Sequence, residues 1–211
     1  MDVNPPHQPI HTWKDFLVHL LTITIGLFIA LTLEASIESI HHRHLVREAH
    51  KDLRQEIQDN HLQYLSNLQW LQENRDQLKR DIEQLRQLRD GKVPDHPNLS
   101  WNWNWRSYNE AAWNTARESG AVPYMNTDWI RLYASVYAQQ QYINATTLAL
   151  LDEETKAAAS LQVAGTASGL TAAQIEALLI KSAELDQSFA KLETVTMKAL
   201  DTWYIEALKS R

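Results

Sequence analysis

Phe16–Leu33 reads FLVHLLTITIGLFIALTL, eighteen residues without a formal charge, in which His19 is the only ionisable side chain. A bilayer core of about 30 Å takes roughly 20 helical residues to cross. With Trp13 before it and Ala35 to Ile40 after it, the stretch reaches that length. A helix satisfies its own backbone in lipid, so it persists there without a partner. The expected fold is therefore all-α: one N-terminal transmembrane helix over 13–40, continuing into a juxtamembrane and stalk helix over 41–90. A Trp-rich loop over 91–106 and an up-and-down helical bundle over 107–211, packed on the stalk, complete the plan.

The flank before the span, MDVNPPHQPIHTWKD, carries one lysine against two aspartates, a poor start for a cleaved signal. An uncleaved anchor behind a flexible N-terminus (1–12) is expected, with Trp13 at the membrane interface. Basic residues near the span are Lys14 on one side and Arg43, Arg47, Lys51 and Arg54 on the other. The positive-inside rule then puts the body in the cytoplasm; a signal-anchor geometry would leave it in the periplasm.

Within the span His19, Thr22, Gly26, Ala30 and Glu34 recur at steps of three and four and share one side of a helix. Small side chains let helices approach closely in lipid, and polar ones turn toward protein or water. These five residues are the expected intramembrane contact face, opposite Leu17, Leu20, Leu21, Phe28 and Leu31.

No glycine or proline occurs between Leu27 and Asp90, so the helix should run on unbroken. From Ile57 a heptad seam passes through Tyr64, Leu68, Leu71, Leu78, Ile82 and Leu85, with His61 and Arg75 at slots that should be apolar. Leu62, Leu65, Trp70 and Leu88 would widen the stripe toward bundle packing. Gly91 ends the helix. In LSWNWNWRSYNEAAWNTARESG the alternation of Trp101, Trp103 and Trp105 predicts an extended segment with one apolar face. Ser107 and Glu110 form the pattern of a capping box for a short helix that Gly120 stops. Asn126 or Thr127 should cap the next helix, lined by Ile130, Tyr133 and Tyr137, and Thr171 with Gln174 the last one. That last helix repeats Ile175, Leu178, Leu185, Phe189, Leu192, Ala199 and Trp203.

Several chemistries are excluded or weakened. Without cysteine there is no disulfide, thiolate metal site or cysteine nucleophile. Acidic residues outnumber basic ones by 26 to 20, and the tryptophans alternate with asparagine rather than lysine, which argues against nucleic acid. No spacing assembles a nucleophile, base and orienting group, so no enzyme is expected and no cofactor is implied. Past the span lie Glu38, His41, His42, His44, Glu48 and His50. Helical spacing makes His41, His44 and Glu48 a possible metal set, although a polar collar at the lipid headgroups is the simpler reading. His19 is a conceivable ligand for haem or a pigment. Trp101, Trp103, Trp105 and Trp113 are either core or a partner-docking surface.

Four motifs carry a resemblance. They are W-x-D-F-L…G-L-x-I-A-L-x-L-E (Trp13 to Glu34), the His/Arg-rich stretch His41 to Arg47, A-W-x-x-A-x-x-S-G-A (Ala112 to Ala121) and L-Y-A-x-x-Y (Leu132 to Tyr137). With them the chain resembles a group of bacterial single-pass inner-membrane proteins that have no assigned activity. The resemblance implies the same topology and supplies no site residues. The expectation is a non-enzymatic anchor protein that binds the bilayer and assembles with itself or another membrane protein. A ligand-, metal- or pH-sensing bundle is the alternative, and a cofactor-bearing subunit the weaker one.

Overall fold

The computed structural model describes residues 12–94, 99–100 and 103–209. The expected flexible N-terminus lies outside these residues but for Thr12, as does Trp101. The described residues hold helices and no strand, so the fold is all-α. The chain divides into two compact units, residues 1–48 and 49–211.

Helix α1 (Trp13–Arg89) contributes to both units. It starts where the Thr12 hydroxyl accepts a hydrogen bond from the Asp15 N–H. It stops at Gly91, whose φ of 73° suits a residue without a Cβ. In the first unit α1 holds a segment long and apolar enough to cross a membrane, and none of that segment is buried among the described residues.

In the second unit α1 is joined by α2 (Ala111–Glu118), α3 (Thr127–Ala164), α4 (Ala172–Lys191) and α5 (Lys198–Lys209). Gly120 follows α2 at φ 75°, and Asn126 caps α3 by accepting from the Asp128 N–H. Thr171 and Gln174 form the expected reciprocal capping box. Contacts fix the directions. His50, Glu56 and Asn60 meet Tyr133, Tyr137 and Gln140 in rising order, so α1 and α3 are parallel. Arg75, His61 and Arg54 meet Asp186, Asp201 and Leu208, so α4 and α5 return antiparallel. The expected up-and-down order holds only because the chain at 103–110 forms the return limb between α1 and α3.

Ile57, Tyr64, Leu71, Leu78 and Leu85, at strict intervals of seven, are buried along α1. The apparent defects face α4 and α5 and find carboxylate partners there. His61 Nε2 lies 3.1 Å from Asp201, and Arg75 bonds Asp186 at 3.1 Å and Glu193 at 2.6 Å. Two expected members of the stripe are displaced from it: Leu62 and Leu65 are 62% and 51% exposed. They sit on the outer face of α1, where no element covers them.

The last helix corrects the sequence reading once more. Up to Leu192 the expected residues are buried, but Ala199 and Trp203 are only half-buried and Leu200 and Tyr204 take their places in the core. Between α4 and α5 lies a π-helical stretch, Leu192–Met197. Each such turn takes an extra residue, which shifts every later side chain one position round the axis. A constant period of 3.6 misses that step.

These two faces of α1 differ measurably. Leu71→Ala opens a cavity at a fully buried site and is expected to destabilise the second unit by about 2–5 kcal/mol. Leu62→Ala should stay within about 0.5 kcal/mol of wild type. Denaturant titration of the detergent-solubilised chain, followed by tryptophan fluorescence, compares them.

Candidate functional site

Extended chain has backbone donors and acceptors to satisfy, and no neighbouring strand does so here. Side-chain amides take that role. The Asn67 amide donates to the Arg106 carbonyl at 2.8 Å, while its oxygen accepts from the Arg106 N–H at 3.2 Å. Asn60 repeats the double bond with Asn109, at 2.7 and 2.9 Å. From the other side, Asn144 of α3 pairs in the same two-way fashion with Tyr108, at 3.1 and 3.2 Å. The Ser100 backbone hydrogen-bonds the Asp81 carboxyl further along.

The register follows from two rises. Seven residues of helix advance about 10.5 Å, and three residues of extended chain about 10 Å. Residues 60 and 67 therefore keep step with 109 and 106, and Asp81 meets Ser100 further along; Asn74 donates to Trp70 O of its own helix. All four column residues (Asn60, Asn67, Asn74 and Asp81) are buried. Sequence reading missed them, because polar residues spaced by seven look like a solvated face. The available signal was that three of the four are asparagine, the residue whose side chain copies a peptide group.

The column continues into α2. Ser107 does not cap that helix: its N-cap is Glu110, without a side-chain cap bond, and the Ala112 N–H donates instead to Glu56 Oε2 of α1 at 2.9 Å. A carboxylate from another helix satisfies the free N–H and suits the positive end of the helix dipole. The other oxygen of Glu56 accepts from the Tyr137 hydroxyl at 2.8 Å, and Trp113 stacks on the Tyr137 ring with centroids 5.5 Å apart. Burial, then the adjoining Glu56, raises the Tyr137 pKa far above the ordinary phenol range. Nearby, His50 Nδ1 and the Tyr133 hydroxyl are 2.7 Å apart, with the Trp129 ring edge-on to the imidazole. Burial and then Arg54 lower the His50 pKa. Gln140 links this cluster to Tyr204, donating to its hydroxyl at 2.9 Å.

The tryptophans divide accordingly. Trp105 and Trp113 are buried in the second unit's own core, so they do not form the docking surface expected of them. Trp103 is half-buried on Trp70, with centroids 5.0 Å apart. Of the expected metal set, His44 and Glu48 approach at 3.2 Å as neighbours one turn apart, and His41 does not join them. No group of three metal-ligating side chains occurs among the described residues. The intramembrane face, His19, Thr22, Gly26, Ala30 and Glu34, is exposed along α1. The Thr22 hydroxyl donates to Val18 O of the same helix at 2.8 Å, so it needs no second partner. A Cβ added at Gly26 would meet nothing within 4 Å.

No family model matches the chain, and neither a curated protein nor a solved structure does.

Removing one amide of the column should free the extended limb. Asn67→Ala leaves the Arg106 N–H and carbonyl without partners, at an expected cost of about 2–3 kcal/mol. Amide exchange should accelerate at Arg106 and Asn109, while Gln63→Ala, which removes only a bond to Asn67 itself, leaves it near wild type.

Proposed function

We propose that this chain is a non-enzymatic, single-pass membrane protein whose span mediates assembly, with copies of itself or as an accessory subunit of a larger membrane complex. One observation carries the reading. A run of apolar side chains from Phe16 to Ile40 is exposed among the described residues. A soluble monomer normally keeps its contiguous apolar patches to a few hundred Å². Lipid is the solvent that removes this penalty, and the second unit owes nothing to the run, since its core is closed by its own residues.

Two features favour assembly over a passive tether. His19, Thr22, Gly26, Ala30 and Glu34 share one side of the helix, and the hydroxyls of Thr22, Thr24 and Thr32 are satisfied within it. Close contact through Gly26 and Ala30, rather than hydroxyl bonding, is then the means of association. The motif resemblance supports a bacterial inner membrane as the setting, and the basic residues after the span favour a cytoplasmic body.

Gly26→Leu and Ala30→Leu should shift detergent-solubilised protein from oligomer to monomer, and Leu21→Ala on the opposite side should not. Light scattering of the purified variants reads the result. Release of the wild-type chain from vesicles by alkaline carbonate, or a monomer unaffected by all three changes, would refute the proposal.

A further inference from the structure

Helices α3 and α4 are clamped by an ion pair between Glu153 and Lys181, and Lys181 also reaches Glu184 at 3.3 Å. The next residue on each helix, Glu154 and Ser182, is buried, at 4% and 1% exposure. Neither Glu154 Oε2 nor Ser182 Oγ has a hydrogen-bond partner. Glu154 stands on the buried face of α3 in line with Ile143, Thr147 and Ala157, a position at which an apolar residue would be ordinary. An ionised carboxylate there would lose the hydration of Oε2 with no protein donor to replace it, whereas a neutral carboxylic acid tolerates the place at lower cost.

We propose that Glu154 is a proton-binding site between α3 and α4: the helix pair closes over the protonated side chain and opens when the proton leaves. The proposal does not depend on the assembly reading.

The surrounding charges are already committed elsewhere. On α4, Lys181 serves Glu153 and Glu184, and Asp186 serves Arg75. On α1, Arg75 is shared by Asp186 and Glu193, and Asp81 accepts from Gln77 at 2.7 Å. On α3 itself Lys156 pairs with Asp152 and Glu153. Among the described residues Glu154 makes no ion pair, and burial raises its pKa to about 7. Asp81, fully buried with Oδ2 unpartnered, shifts the same way for the same leading reason, to about 6.

The direction follows from proton counting. A carboxyl whose folded pKa lies above its unfolded value binds more protons when folded, so its contribution falls as pH rises between the two values. For Glu154 that window runs from about 4.5 to about 7, and the closed state gains on acidification. His50, with its pKa lowered, opposes this below its ordinary value of 6.5. A difference between wild type and a Glu154 variant removes that contribution.

The test is amide hydrogen exchange of α3 and α4 in the full chain in lipid nanodiscs, at pH 5.0 and 7.5 after correction for intrinsic rates. In wild type the Glu154 contribution should make opening roughly 50-fold more frequent at pH 7.5 than at 5.0. Glu154→Gln should lack that component, as should Glu154→Leu, which keeps the site filled if the amide variant folds poorly. A wild-type infrared band of a protonated carboxyl that titrates near pH 7, and is missing in both variants, would support the assignment. An unchanged pH dependence in either folded variant, or no such band in wild type, would overturn it.

Discussion

The body of this protein depends on a match between two repeat lengths. An extended limb cannot lie against helices unless its peptide groups find partners, and helices offer none from their own backbones, which are already bonded internally. Here Asn60 and Asn67 of α1 and Asn144 of α3 supply them, each presenting one donor and one acceptor to one residue of the limb. The partners must recur every 10 Å or so along both chains, and a heptad on the helix meets a triplet on the limb at that spacing. The match is what lets α1 and α3 lie parallel, with α2 held at its start by Glu56.

Most local features of this fold were legible because each rests on a few neighbouring residues. Gly91 and Gly120 mark helix ends that need positive φ, and Thr171 with Gln174 announces a helix start. The heptad from Ile57 to Leu85 and the apolar run of the span are readable for the same reason. Features that depend on distant chain were not. Ser107 looks like a cap, but Glu56, far away in sequence, does the capping. Asn60 and Asn67 look like surface residues until the limb is laid against them. The π-helical turn at 192–197 leaves no local mark, and so a constant period points to Ala199 and Trp203 where Leu200 and Tyr204 fill the core. The site residues were the least legible. Trp105 and Trp113, expected at a docking surface, are buried, and sequence composition alone does not separate a buried aromatic from a binding one.

Charged and polar groups in the second unit follow two different rules. Arg75, Asp186 and Glu193 lie at a half-buried boundary and neutralise each other with direct bonds. There, water still shares the solvation, and Gln72 and then Arg75 keep the Glu193 pKa low. Deeper groups have no ionic partner, and their charge states yield instead. The Tyr64 hydroxyl, mainly through burial, is pushed up to about 12. The buried carboxyls of Asp81 and Glu154 move toward the neutral form by the same cause. Ionic pairing and neutralisation are alternative answers to one solvation cost, and depth decides between them.

A second consequence of the asparagine column concerns what α1 is prevented from doing. Ile57, Tyr64, Leu71, Leu78 and Leu85 would serve as one half of a coiled-coil seam, and on the flank away from His61 and Arg75 leucine at 60, 67, 74 and 81 would complete it. Such a helix could zip to a second copy along its length. With three asparagines and an aspartate at those positions, pairing to another helix would bury amides against backbone that is already bonded, at a cost of order 1–3 kcal/mol for each group left unpaired. Only a partner with free peptide groups, such as the chain's own extended limb, avoids that cost. The column therefore directs α1 into its own body, and the large uncovered apolar surface that remains is the one from Phe16 to Ile40.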